Sequence, residues 1–303
     1  MLKLVAIVVR LLRRQKKPSR NDEHPSNMKQ LTIIKIGGNV IDNSENLHQF
    51  LLDFTALPGD KILVHGGGKI ATELSESLGI EAKMVEGRRV TDIETLRIVT
   101  MVYAGLINKN MVAQLQAKGS NAIGLSGADG NVIKAKKRPV STKTYGAEAG
   151  PMAGAVIDYG FVGDLDENSV SSTTLDSLLK AGLVPVLCAI THDGATQLLN
   201  TNADTIASSV AVAMSALYET RLVYCFEKKG VLKDVNDDGS VVREIKADEF
   251  EGLKTDGTVQ GGMIPKLHNA FEAIKKGVSA VYIGKADELA ELAEGTFGTK
   301  MLK

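Results

Sequence analysis

The chain has 303 residues, of which 44% are hydrophobic and 4% aromatic, with no tryptophan. That length supports two modest domains or one large α/β unit, and the aliphatic bias suits the Val/Ile/Leu/Ala core of a parallel sheet. Lys+Arg and Asp+Glu are each 36, so balanced charge excludes a bulk electrostatic pull toward nucleic acid or membranes and leaves only local anion sites open.

Met1–Asn27 opens with an apolar stretch, Leu4–Val9, followed by Arg10, Arg13, Arg14, Lys16 and Lys17. The stretch is too short to span a bilayer, and its charges follow the apolar region where a signal peptide places them before it. Residues 1–27 read as a disordered extension or a mis-assigned start without chemistry, and Met28 opens the first strand. The cysteines, Cys188 and Cys225, sit in apolar runs (LVPVLCAI and RLVYCF). They read as buried core residues of a protein in a reducing cytoplasm, not as a disulfide or metal pair.

From Met28 strands and helical stretches alternate, as in an α/β fold with a mainly parallel sheet. Leu31–Ile36 is a β-rich run ending at Lys35 and Ile36, then Gly37, Gly38 and Asn39. Leu47–Leu57 reads as a helix stopped by Pro58 and Gly59. The segment Lys61–Lys69, KILVHGGGK, joins a buried strand to three glycines and a helix over Ile70–Leu78, with Ile70, Leu74 and Leu78 at a spacing of four. Val85–Thr91 holds two arginines beside Gly87. Asp92–Lys118 has Leu96, Val99, Val102 and Leu106 at helical spacing, Ala122–Leu125 reads as a strand, and Ser126–Gly130 as a turn.

Asn131–Asp166 is rich in Gly, Ala, Lys and Thr and reads as a long hairpin or lid, the kind of loop that covers a ligand. A helix over Thr174–Ala181, a buried strand over Leu183–Ile190 and an Ala-rich helix over Asn202–Leu217 follow. Beyond Tyr218 come a strand at Leu222–Phe226, a glycine-containing turn at Glu227–Leu232 and a short strand at Val241–Ile245. A helix over Ile264–Lys275 and a last strand at Ser279–Ile283 end the series. These elements divide the chain into an N-terminal lobe, residues 28–215, and a smaller C-terminal lobe, residues 216–303.

Two strand–glycine–helix units, each with a lysine beside its glycines, present bare backbone N–H groups to an anion. One such unit is explained by a tight turn; two facing one crevice beyond parallel strand ends suggest phosphate. Gly68-Lys69-Ile70 is not a Walker A loop, because Leu63 stands where a glycine is required and Ile70 where Ser or Thr is. Neither loop supplies the dinucleotide pattern GxGxxG. Asp234, Asn236 and Asp238 imitate a calcium loop, but Ile245 replaces its twelfth-position Glu. Asn200-Thr201-Asn202-Ala203-Asp204 holds more polar residues than one helix cap uses. Lys266 sits against the dipole in the first turn of its helix and so points to an anion partner, while Arg89 suits a carboxylate.

In order, KIGGN, HGGGK, GRRVT, LSGADG, NTNAD and GGMIPK resemble the amino-acid kinase superfamily, and within it the kinases of N-acetyl-L-glutamate most closely. The resemblance covers the chain from Met28 onward. It implies a three-layer αβα sandwich around a mainly parallel open sheet, with the acyl-amino acid in the N-terminal lobe and ATP in the C-terminal one. The implied reaction moves the γ-phosphoryl group to the side-chain carboxylate, with Mg²⁺ carried by ATP and no protein metal site.

By motif position, Lys35 and Lys266 are the charge-stabilising lysines and Asp204 organises both. Gly67, Gly68 and Asn202 bind substrate, with Arg89 and Asn200 at its carboxylate end. Gly37, Gly38, Glu227, Gly230, Gly261 and Gly262 lie on the nucleotide side. Glu227 stands where the family usually has Asp, and Gln260 is a further departure. Residues 1–27 lack the lead-in of arginine-inhibited relatives, which implies an arginine-insensitive homodimer. N-succinyl-L-glutamate is an alternative substrate. A carbamate, aspartate or glutamate 5-kinase is the rival enzyme, and a catalytically dead nucleotide sensor the rival class; retention of Lys35, Lys266 and Asp204 argues against the sensor.

Overall fold

The structure, a computed structural model, describes residues 28–81, 83–85, 88–142, 156–234, 236–255, 257–259 and 263–303. The expectations for residues 1–27, Gly87, Gln260, Gly261 and Gly262 lie outside the described residues. Eight strands form the main sheet: β1 Gln30–Ile36, β2 Asp60–His65, β3 Ala122–Leu125, β4 Val184–Cys188, β5 Glu219–Phe226, β6 Glu244–Lys246, β7 Ala280–Lys285 and β8 Thr299–Leu302. Their order is β6-β8-β7-β5-β1-β2-β4-β3. Every pair is parallel except β7 with β8.

Strand β1 is central because its sequence is apolar on both faces: Leu31, Ile33, Ile34 and Ile36 are all fully buried. It pairs with β2 on one side and β5 on the other, so the chain changes direction across the sheet at β1. Lys35 lies in register with Val64 and Tyr224, and Ile36 with His65 and Cys225. Both glycine loops and the turn after Phe226 therefore leave the sheet at the same carboxyl edge, where open α/β sheets form their ligand crevice.

Helices cover both faces. On one lie α2 (Ser44–Ala56) and α5 (Asn108–Ala117); on the other lie α6 (Ser172–Lys180), α7 (Ala203–Met214) and α9 (Met263–Lys275). The short α1 (Gly38–Ile41) and α3 (Gly68–Ser77) open directly from the glycine loops, and α8 is Phe250–Thr255. Asn43 caps α2 by accepting from the backbone N–H groups of Glu45 and Asn46, at 3.0 Å each. The three-layer sandwich expected from the sequence is present. No helix among the described residues is long and apolar enough to cross a membrane. Cys188 and Cys225 are free and buried.

Three features differ from the sequence reading. The helix expected over Ile70–Leu78 starts two residues earlier, so Gly68 and Lys69 belong to its first turn. The long helix after Asp92 runs as α4 (Ile93–Val99), a π-helical segment (Thr100–Ile107) and α5. Hydrophobic spacing does not distinguish that widened stretch from α-helix. Finally, the strand expected over Ser279–Ile283 is β7, Ala280–Lys285, which is not the last strand. β8 follows it and pairs antiparallel, Val281 opposite Met301. Its four residues, TKML, carry too little β-branched or alternating signal to announce a strand.

In the expected hairpin, Lys136–Lys137 pairs with Gly163–Asp164 and Ser141–Thr142 with Val156–Ile157, both antiparallel. Residues 143–155 lie outside the described residues. The turn into β8 depends on Gly298, whose φ of +50° is paired with a close approach to β7. A Cβ there would run into the Ile283 carbonyl oxygen and lie 2.7 Å from Gly284 Cα. Gly298→Ala should therefore lower the unfolding free energy by about 2 kcal/mol or more, read as a reduced urea midpoint.

Candidate active site

The carboxyl edge of the sheet holds two cavities, and an ion pair lies in the chain segments next to their linings. The first, ≈ 330 Å³, is lined by Gly37, Gly38, Phe226, Glu227, Gly230 and Lys266 among others. The second, ≈ 280 Å³, is lined by Gly66, Gly67, Gly68, Arg89, Tyr103 and Arg138, with Asn200 and Asn202 on its far wall. Lys35 leads into Gly37 of the first cavity, and its Nζ lies 2.7 Å from Oδ1 of Asp204. Asp204 follows Asn202 and Ala203 of the second cavity. Asp204 itself lines a third cavity of ≈ 490 Å³, with Thr205, Ser208 and Tyr224.

Lys35 comes from the end of a buried strand, and its side chain is only 11% exposed. An ammonium that far from water requires a partner, and Asp204 supplies it from the first turn of α7, where the helix dipole favours a carboxylate. The Tyr224 hydroxyl donates to the Asp204 carbonyl at 3.3 Å, tying β5 to the same turn. Lys266, from α9, brings a second ammonium into the first cavity. Burial, and then the nearby Lys35 charge, push its pKa below the ordinary lysine value, while Asp204 opposes the shift. Both lysines therefore act in a low-dielectric region where their charge is weakly screened.

Glycines at the ends of β1 and β2 let ligand approach the main chain. Gly67 has φ +148°, and a Cβ on it would collide with Ile107 Cδ1 and lie 3.1 Å from Tyr103 Cδ1. Tyr103 and Ile107 both come from the π-helical segment, so that segment and the triple-glycine loop fit together only without a side chain at 67. Gly68 then begins α3, whose first N–H groups have no partner within the helix.

Beneath this loop His65 is fully buried. A neutral ring protonated on Nδ1 satisfies both of its contacts: Nδ1–H donates to the Gly66 carbonyl at 2.8 Å, and Nε2 accepts from Asn108 Nδ2 at 3.0 Å. Asn108 also donates to the Val186 carbonyl at 2.9 Å, so the ring is anchored to β4. Burial, reinforced by the Lys109 charge and opposed by the Gly66 hydrogen bond, lowers the pKa of His65 to about 4.

The second cavity is built to read acidic groups. Arg89 donates through Nη2 to the Gly68 carbonyl (3.0 Å) and Thr72 Oγ1 (2.6 Å). Arg138 donates through Nε and Nη2 to the Asp164 carboxylate, with Nε 3.0 Å from each oxygen. In both arginines Nη1 is buried without a partner among the described residues. A buried guanidinium nitrogen left unpaired is a donor set aside for a ligand. Asn200 spends its Nδ2 on Thr91 Oγ1 at 3.1 Å. Asn202 caps α7, accepting from Thr205 N–H at 3.1 Å.

Of the residues singled out in the sequence, Gly67, Gly68, Arg89, Asn200 and Asn202 come together in the second cavity. Gly37, Gly38, Glu227, Gly230 and Lys266 come together in the first. Arg138, Asp164, Tyr103 and Phe226 are additional. Arg138 carries no motif that singles it out, and its pairing across 26 residues with Asp164 has no sequence signal. Tyr103 sits at an ordinary core position of a helical pattern. Among the described residues no group of three or more His, Cys, Asp or Glu side chains is arranged to hold a metal ion.

The amino acid kinase family matches this chain over residues 30–285. The chain is 54% identical over 267 residues to the acetylglutamate kinase of Bacteroides thetaiotaomicron, covering 88% of this chain and 97% of that one. It is 53% identical to the acetylglutamate kinase of Cytophaga hutchinsonii, covering 91% and 99%. Among solved structures, N-acetylglutamate synthase from Neisseria gonorrhoeae, complexed with coenzyme A and N-acetyl-glutamate, superposes with a TM-score of 0.70 at 21% identity. That match covers 91% of this chain and 59% of the synthase. Carbamate kinase from Giardia lamblia bound to AMP-PNP gives a TM-score of 0.63 at 15% identity, covering 92% and 99%. At such identities the solved structures speak for the fold.

The buried His65 carries a pH consequence. Unfolded, the ring takes up a proton near 6.5; folded, it does so only near 4. Between those values the unfolded state holds more protons, so its contribution to stability is full above pH 6.5 and is lost as pH falls toward 4. The loss is on the order of 3 kcal/mol. Urea midpoints of wild type and His65→Asn measured from pH 7.5 to 4.5 should converge on acidification, because the variant lacks this term; parallel curves would contradict the buried neutral ring.

Proposed function

The chain belongs to the amino acid kinase family, and we propose that it transfers the γ-phosphoryl group of ATP to the side-chain carboxylate of N-acetyl-L-glutamate, a step of arginine biosynthesis. The observation that carries the reading is the Lys35–Asp204 pair, placed one or two residues along the chain from a glycine-lined cavity that holds Lys266 and from a cavity lined by two arginines with unpaired buried Nη1 atoms. In this reading nucleotide occupies the first cavity and acyl-glutamate the second. The lobes meet at the β1–β5 junction, with residues 28–215 holding the acyl-amino acid and residues 216–303 the nucleotide.

The substrate carboxylate is already deprotonated, so no general base is required. Its oxygen attacks the γ-phosphorus in line as the bond to the bridging oxygen of ADP breaks, giving an acyl phosphate and ADP. Repulsion between two anions and charge on the equatorial oxygens dominate the barrier. Lys35, Lys266 and the N–H groups of the two glycine loops supply a preorganised positive field against both. Asp204 holds Lys35 in place. Gly67 and Gly68 face the acyl substrate, with Arg89, Asn200 and Asn202 orienting it. Mg²⁺ carried on the nucleotide phosphates would add further positive charge there. Glu227 and Gly230 serve the nucleotide side.

One observation favours a second substrate, N-succinyl-L-glutamate. Arg138 keeps an unpaired buried Nη1 in the acyl cavity, a donor that a terminal carboxylate would use and an acetyl methyl would not. The overall proposal is of a cytoplasmic homodimer insensitive to arginine, read as a dimer mass in solution and unchanged turnover when arginine is added.

Acyl phosphate trapped as a hydroxamate with ATP and Mg²⁺ separates the substrates: signal is expected with N-acetyl-L-glutamate and none with free L-glutamate. Preference for the succinyl compound would transfer the reading to that substrate, and no signal with either would overturn it. Lys35→Ala and Lys266→Ala should each lower turnover by about 10²–10⁴-fold while the urea midpoint stays near that of wild type. Unchanged turnover would remove the lysines from the mechanism.

A further inference from the structure

The two lysines of the first cavity are not held alike. Lys35 has a carboxylate at 2.7 Å. Lys266 makes no ion pair or hydrogen bond among the described residues, and its nearest partner is the face of Phe226, with Nζ 3.9 Å from the ring centroid. The same ring lies 5.6 Å from Lys35 Nζ. Phe226 ends β5 and lines the first cavity. Tyr224, two residues earlier on the same face of the strand, stacks on it at 6.1 Å between centroids and 21° between planes. That stack, together with the pairing of Tyr224 against Lys35, fixes where the ring face points.

We propose that Phe226 is a positioning residue whose ring face holds the Lys266 ammonium at the site of phosphoryl transfer. The inference rests on the reading of Lys35 and Lys266 as the lysines that meet the transferring group. Its physical content is a choice of counter-group. A second carboxylate beside Lys266 would hold it as firmly but would cancel the positive field that two anionic substrates require. An aromatic face attracts the ammonium through its quadrupole and adds no net charge. It also excludes water from one side of the lysine, which strengthens the field on the other. Lys266 has this need because burial opposes its protonation, an effect that the Asp204 charge offsets in part and the Lys35 charge reinforces.

The test replaces Phe226 in the full chain with mono-, di- and trifluorophenylalanine, which keep the ring's shape while weakening its quadrupole stepwise. Phe226→Tyr and Phe226→Leu serve as companions. Single-turnover hydroxamate formation from N-acetyl-L-glutamate, ATP and Mg²⁺ is read alongside the KM of each substrate. The expected result is a logarithmic fall in rate with each added fluorine, reaching about three- to thirtyfold for the trifluoro ring. Phe226→Tyr should retain most of the rate and Phe226→Leu should lose at least as much as the trifluoro variant, with KM values moving by less than about twofold.

A flat series, or an equal loss for one and three fluorines, would overturn the proposal, as would an effect confined to the KM for ATP. Lys266→Ala measured in parallel separates the two levels. A slow Lys266→Ala with a flat fluorine series defeats only the role of Phe226, whereas an unimpaired Lys266→Ala defeats the underlying reading as well.

Discussion

The contact between Lys35 and Asp204 sets the terms for much of this structure. A lysine near the end of a buried central strand is costly to desolvate, and the cost is met only if a carboxylate arrives in the right place. Asp204 does so because it occupies the first turn of α7, a helix that packs across β1 and β5. The same geometry puts the strand-end glycines of β1 beside the turn after β5. Central placement of β1, the crossover that brings β5 to its side and the start of α7 therefore hang together as one arrangement.

The second half of the site depends on how closely helix and loop can approach. Gly67 is pressed by Tyr103 and Ile107, which the π-helical segment turns toward it, and His65 pins the preceding carbonyl from below. The start of α3 thereby lines the second cavity. Asn108, the first residue after the π segment, completes the support by joining His65 to the backbone of β4. A widened helical turn, a glycine and a buried neutral imidazole act as one unit.

Electrostatically the site is a concentration of positive charge inside a protein with none overall. Two lysines, two arginines with spare donors and two helix-opening glycine loops converge on adjoining cavities, while formal net charge is zero. The counter-charges are placed to orient these cations and not to cancel them where ligand would sit. Asp204 contacts Lys35 from the helix side, and Asp164 takes only two of the three nitrogens of Arg138, leaving the third buried without a partner among the described residues. Such a field suits transfer between two anions.

Much of this was legible in the residue order. Alternating strand and helix signals, the glycine loops with their lysines, and the ordered motifs from KIGGN to GGMIPK named the fold class and many of the residues lining both cavities, since each is a local pattern with a local cause. Local pattern was silent on Arg138 with Asp164, on Phe226 beneath Lys266, on Tyr103 against Gly67 and on β8 beside β7. Each of those depends on which distant segments the sheet brings side by side. The sequence by itself determined which residues would line a βα turn or cap a helix, because backbone conformation and burial are read from near neighbours. Tertiary structure alone decided which side chains share a cavity and which donors remain unpaired, because both follow from strand order and helix packing across the whole chain.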